Sequence, residues 1–167
     1  MGMAKQELSE NICYIAGLLS KSSRKEKSMV AIDTGISEIR ERFVQIAVGD
    51  LGIMPEKIIV GSGSPGSVRF YHSRVSKRLL DIADREAFIF KARNRFSGNY
   101  VAGMFDIAGH YSHSIEIRHV MPKDALMLEN LGIHTRGDKI MNISSFMSLI
   151  SGFSVLAEIV TQKRGRM

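Results

Sequence analysis

Two short segments 86 residues apart constrain this chain more than any other feature in it. Tyr14-Ile-Ala-Gly-Leu-Leu-Ser-Lys-Ser-Ser23 and Tyr100-Val-Ala-Gly-Met-Phe-Asp-Ile-Ala-Gly109 share one order: Tyr, a β-branched residue, Ala-Gly, two large apolar residues, then mostly small or polar ones. Ala-Gly on a helix face presents almost no bulk, so a second helix backbone can approach it closely. Two such helices predict a pair packed through Ala16, Gly17, Ala102 and Gly103 at the centre of the molecule.

The rest of the chain repeats around them. In the first half Ser9 caps a helix over 10–20, with Glu10 in its first turn. A strand over 29–33 follows, then an amphipathic helix over 37–50 capped by Ser37 or Thr34. Next come a strand over 57–60, a turn-rich link over 61–66, a strand over 68–72 and a Ser73-capped helix over 74–86. Residues 87–98 read as a basic connector. The second half has a Ser97-capped motif helix over 98–108, a strand over 114–118 and a helix opened by Pro122. A tight hairpin around Arg136-Gly-Asp138, a strand ending at Ile143 and one long Ser144-capped helix complete it. Leu51-Gly-Ile53 and Leu131-Gly-Ile133 end the two amphipathic helices, and Gly52 suits a left-handed helix end. Landmarks matched in the same order make an internal repeat. The expected class is α+β: two pseudo-symmetric α-β-α-β-β-α repeats, 9–86 and 99–162, in one domain spanning 1–167, with the strands forming a saddle-shaped surface.

Apolar residues make up 44% and charged residues 24%, an ordinary globular balance. No run of about 18 apolar residues exists to span a membrane. The N-terminus lacks the apolar core of a signal peptide, and the lone Cys13 reads as a small buried hydrophobe. The cytoplasm is the expected compartment. Internal twofold symmetry makes a monomer the expected state.

The net charge is +6, and residues 1–100 hold a surplus of five against one in residues 101–167. An anionic partner fits this balance. Candidate contacts are Lys21, Arg24, Lys25 and Lys27 in the loop after the first motif. On or beside the strands they are Lys57, Arg69, Tyr71, Arg118 and Lys139. A solvated face also needs polar residues, so these positions alone do not decide the matter. His110, His113 and His119 do not read as a metal site, since residues six apart on a strand lie about 20 Å apart.

The segments Ile15–Ser23 and Val101–Gly109 resemble the two copies of the LAGLIDADG motif in single-chain homing endonucleases, and the resemblance covers nearly the whole chain. It implies motif helices packed at a pseudo-twofold axis and strands seated in the DNA major groove, which admits a β-ribbon. It also implies one carboxylate from each motif helix, holding divalent metal over the scissile phosphates. Those positions are Ser22 and Ala108 here, and neither supplies a charged ligand. Asp106, at the family's other acidic position, lies on a different helix face. The resemblance therefore implies a scaffold that binds duplex DNA, or structured RNA, without cleaving it. No metal or cofactor is expected, and Mg²⁺ enters only if substituted ligands keep a nuclease active. A third reading is a protein-interaction or vestigial domain. The weak charge of the second repeat, where Glu116 shares a strand face with Arg118, favours it.

Overall fold

A computed structural model of the chain describes residues 8–22 and 26–165. In the first half α1 (Glu10–Ser20) leads to β1 (Met29–Asp33), α2 (Ser37–Gly49), a 3₁₀ turn (Pro55–Lys57), β2 (Ile59–Gly61), β3 (Ser67–Tyr71), α3 (Ser73–Asp84) and α4 (Glu86–Ile89). In the second half α5 (Arg95–Ala108) leads to β4 (Gly109–Tyr111), β5 (Ile115–Ile117), α6 (Pro122–Asn130), β6 (Thr135–Arg136), β7 (Lys139–Ile140), α7 (Ile143–Ile150) and α8 (Val155–Gly165). No helix among the described residues is long and apolar enough to cross a membrane.

The two motif helices form the axis. In α1 every residue from Ile12 to Leu19 is buried, and in α5 nearly every one from Ser97 to Ala108. A helix apolar on all sides belongs inside a core. The starts of both helices lie together, since Arg95 Nε stands 3.3 Å from Glu10 Oε1. The helices therefore run in the same direction. A Cβ built on Gly17 would fall 2.0 Å from the carbonyl oxygen of Tyr100. One on Gly103 would fall 2.2 Å from that of Tyr14. Backbone thus meets backbone at both motif glycines.

An antiparallel sheet packs on each side. The first has the order β1-β3-β2 and the second β4-β5-β7-β6. Strand alternation buries Val30, Ile32, Val68 and Phe70 in the first sheet and Ile115, Ile117 and Ile140 in the second. Phe43 of α2 packs on Phe70 with ring centroids 5.8 Å apart, and Phe146 of α7 meets Phe105 edge-on at 5.3 Å. Arg42 of α2 crosses to the other half: its guanidinium lies 3.5 Å above the Tyr14 ring, and it donates to Asn99 Oδ1 and to the carbonyl of Phe153.

Several sequence expectations change here. The segment 87–98 is not a plain connector, because it contains most of α4 and the first turn of α5. The cap of α5 is Asn94, whose side chain accepts from Phe96 N and Ser97 N, while Ser97 Oγ closes the box on Asn94 N at 3.0 Å. His72, not Ser73, caps α3 by accepting from Val75 N. Neither Ser37 nor Thr34 caps α2, whose N-cap is Ile36; Thr34 Oγ1 instead accepts from Ile36 N at 3.2 Å. The long final helix is broken into α7 and α8 around Gly152, whose φ of +81° a helix cannot continue. Ser144 lies inside α7, whose N-cap is Asn142. The strand expected over 57–60 begins only at Ile59, because Pro55 opens a 3₁₀ turn that includes Lys57. β4 was not anticipated: Gly109 ends α5 and starts a strand at once. Gly52 and Gly132 take the same left-handed conformation at φ +68° and +77°, and Ser9 accepts from Ile12 N as its cap role required.

Candidate nucleic-acid interface

The outer face of each sheet follows from register. In the first sheet Ile59 pairs with Arg69, Arg69 with Ala31, and Tyr71 with Met29. Ala31 and Met29 are buried, so this face is covered over β1 and open over β3 and β2. Tyr71 is 53% and Ile59 40% exposed, and Arg69 lies between open and covered ground. Arg69 Nε is buried and meets no acceptor among the described residues.

In the second sheet one row crosses all four strands. His110 pairs with Glu116, Glu116 with Lys139, and Lys139 with Arg136. His110, Lys139 and Arg136 are exposed and Glu116 partly so. Arg118, exposed just past β5, is held by its backbone N–H, which donates to the carbonyl of Ala108 at 2.9 Å. Sequence reasoning missed Arg136, because it read 136–138 only as a turn. The signal available was the two-residue connection itself, which fixes Arg136 opposite Lys139.

Other candidate contacts lie elsewhere. Arg24 and Lys25 fall outside the described residues. Lys27 is exposed in the turn before β1, and Lys57 is exposed in the 3₁₀ turn rather than on a strand. Lys21 is not on either outer face. Its ammonium is buried against the Asp124 carboxylate and donates to the carbonyl of His119 at 2.9 Å.

That ion pair belongs to a buried cluster tying the two halves together. The Tyr100 hydroxyl donates to Glu86 Oε2, and Glu86 lies against Asp124. Burial and the neighbouring Asp124 push the Glu86 carboxyl up to about 8, so it is protonated at neutral pH. Burial works on Asp124 in the same sense, but hydrogen bonds from Glu86, Lys21 and Met121 N outweigh it and hold its carboxyl below the ordinary value. Glu86 Oε1 is buried without a hydrogen-bond partner among the described residues.

The C-terminal ends of the motif helices decide what chemistry is available. Ser22 is buried, and its Oγ donates to the carbonyl of Ala31 at 2.8 Å. Ala108 has no polar side chain. Asp106 is buried and points into the protein. Its Oδ1 accepts from Ser154 Oγ at 2.6 Å and Leu156 N at 3.0 Å, and its Oδ2 from Tyr14 Oη at 2.5 Å and Val155 N at 3.1 Å. A carboxylate offers about four acceptor positions, and all are taken. Burial pushes its carboxyl above the ordinary value against the pull of these four donors. Asp106 thus takes up the first two N–H groups of α8, while Ser154, the residue before that helix, caps it by accepting from Ala157 N at 3.0 Å. Ser20, the counterpart of Asp106 in the first motif, is too short for that role, and Tyr100 turns to Glu86 where Tyr14 turns to Asp106. Ser22 and Ala108 supply no carboxylate at the helix ends, the ligand type hard divalent cations favour. Among the described residues no three His, Cys, Asp or Glu side chains converge on one point.

No protein-family model matches the sequence, and no curated protein matches it. Solved structures do match. I-DmoI in complex with DNA and Mn superposes with a TM-score of 0.67 at 15% identity, covering 87% of this chain and 99% of that one. I-DmoI with DNA and Ca gives 0.69 at 15% identity, covering 93% and 100%. A mesophilic variant of the homing endonuclease I-DmoI gives 0.70 at 16% identity, covering 93% and 100%. With both chains matched over nearly their whole length, this protein has the fold of a LAGLIDADG homing endonuclease.

Proposed function

We propose that the chain binds duplex DNA along the outer faces of its two sheets and does not cut it. The observation that carries this reading is at the helix ends: Ser22 and Ala108 offer no carboxylate, and Asp106 has every acceptor position occupied within the protein. Without acidic ligands there is nothing to hold a metal ion that would activate water. The faces themselves support binding. Arg69, Arg118, Arg136 and Lys139 present cations, and Tyr71 adds an amphipathic ring. The matched I-DmoI structures hold DNA on the same fold.

The test is a binding titration with duplex DNA over a range of salt, followed by incubation with Mg²⁺ or Mn²⁺. Binding that weakens steeply with salt and leaves both strands intact is the expected result. No binding to any duplex at low salt, or cleavage of either strand, overturns the proposal.

A further inference from the structure

Glu116 is the one acid in the cross-strand row of the second sheet, and its position is fixed by register on both sides. Strand neighbours lie about 4.8 Å apart, which sets His110 on one flank and Lys139 on the other. The buried Ile115 and Ile117 alternate with it, so its side chain belongs to the outer face. Among the described residues its one side-chain hydrogen bond is a long one, 3.4 Å, from Ser114 Oγ. Although Lys139 is its direct partner, the two make no ion pair among the described residues. Both heads are therefore available to something outside the protein.

On a surface that approaches phosphates a carboxylate is repelled by them and loses hydration, unless a donor meets it. The major groove offers such a donor on only two bases. Cytosine presents its N4 amino group, whereas adenine sets the acceptor N7 beside its N6 amino group, where it repels a carboxylate. Thymine and guanine present acceptors there. Lys139, one strand away, has the opposite requirement and suits guanine O6 and N7. Acceptor beside donor on the protein thus matches donor beside acceptor on a C·G pair. The geometry points to Glu116 as a specificity-determining residue that fixes a cytosine in the bound duplex, with Lys139 on the paired guanine. This rests on the duplex-binding reading above and adds to it the composition of the half-site under the second sheet.

The full chain is equilibrated at fixed salt with a library of randomised duplexes, and the retained pool is sequenced for the wild type, Glu116→Gln and Glu116→Ala. The wild type enriches cytosine at one position by about tenfold, the lower range for a good side-chain-to-base pairing. Glu116→Gln moves that preference to adenine, whose N6 and N7 a carboxamide reads together. Glu116→Ala abolishes it and binds unselected DNA more tightly, because a negative charge has left the face. Retained pools with the same base preferences in all three proteins overturn this inference and leave duplex binding intact; Glu116 is then only a solvated residue of the sheet face. Failure of the wild type to retain any duplex overturns both.

Discussion

Asp106, the acid of the second motif, has its oxygens engaged inside the protein. Four donors from two helices and a loop converge on it, and three of them come from residues 154–156. Asp106→Asn keeps one good acceptor and turns an amide N–H₂ toward one hydroxyl and one backbone N–H, the second of which can only donate. It should cost on the order of 2 kcal/mol or more, read as a lower urea midpoint. Duplex binding by the fraction that remains folded should be unchanged, because Asp106 does not reach the surface. A loss of DNA affinity in excess of the loss of folded protein would contradict the structural role. The sequence made the acid visible but not its partners, three of which lie about 50 residues downstream. They were hidden because 144–162 reads as one apolar helix. Gly152 and Ser154 were the available signs of a break and a new start, since a small or polar residue before an apolar run marks a helix beginning. The buried Glu86 was illegible for the same reason: nothing local distinguishes it from a solvated helix acid.

At the scale of elements the motif helices were the most legible part of the chain. Ala-Gly at a fixed place in two buried helices permits close approach, and the pattern is entirely local. The consequence is severe for substitution. Gly103→Ala would set a methyl group 2.2 Å from a backbone carbonyl and 2.8 Å from a backbone nitrogen, neither of which can swing aside. Separating α1 from α5 is the alternative, and the expected loss is about 3 kcal/mol, at the upper end for overpacking. Gly49→Ala, where an added Cβ meets nothing within 4 Å, serves as the control and should be neutral or slightly stabilising. Equal urea midpoints for the two variants would refute the packing account. Elements set by long-range pairing were less legible. β6 and β7 have two residues each, too few for an alternation to show, and β4 exists because Gly109 finds Ile117 across the sheet.

The contact between α4 and α6 makes a separate prediction about pH. Folding raises the Glu86 carboxyl from 4.5 to about 8, so between these values the folded protein binds a proton that the unfolded chain releases. Stability from this group is complete below about pH 4.5 and is lost as pH rises through about 8. Asp106, also raised by burial, acts in the same sense; Asp124, lowered, acts in the opposite sense but only at acid pH. Unfolding free energy should therefore be lower at pH 9 than at pH 6. Glu86→Gln, which keeps a neutral hydrogen-bonding head, should remove most of that difference. An equal pH dependence in variant and wild type would exclude Glu86 as its source.

Across the whole molecule the two halves share an architecture and differ in what they present. The first sheet opens Ile59, Arg69 and Tyr71, and the second a mixed row with a single acid. The charge counted from sequence favoured the first half as the DNA surface, yet some of that charge is structural. Lys21 lies buried on Asp124, whereas Arg69 and Arg118 reach the outer side. Salt dependence separates the two kinds of cation. Each phosphate contact adds about 0.9 to the slope of log affinity against log salt on duplex DNA. Arg69→Ala and Arg118→Ala should each flatten that slope by about 0.9 and leave the urea midpoint nearly unchanged. Lys21→Ala should do the reverse, because Asp124 is left buried without its counter-charge; the cost is about 3 kcal/mol in stability with the slope unaltered in the folded fraction. A Lys21 variant that flattens the slope, or Arg69 and Arg118 variants that leave it alone, would reverse the assignment of which cations face the DNA.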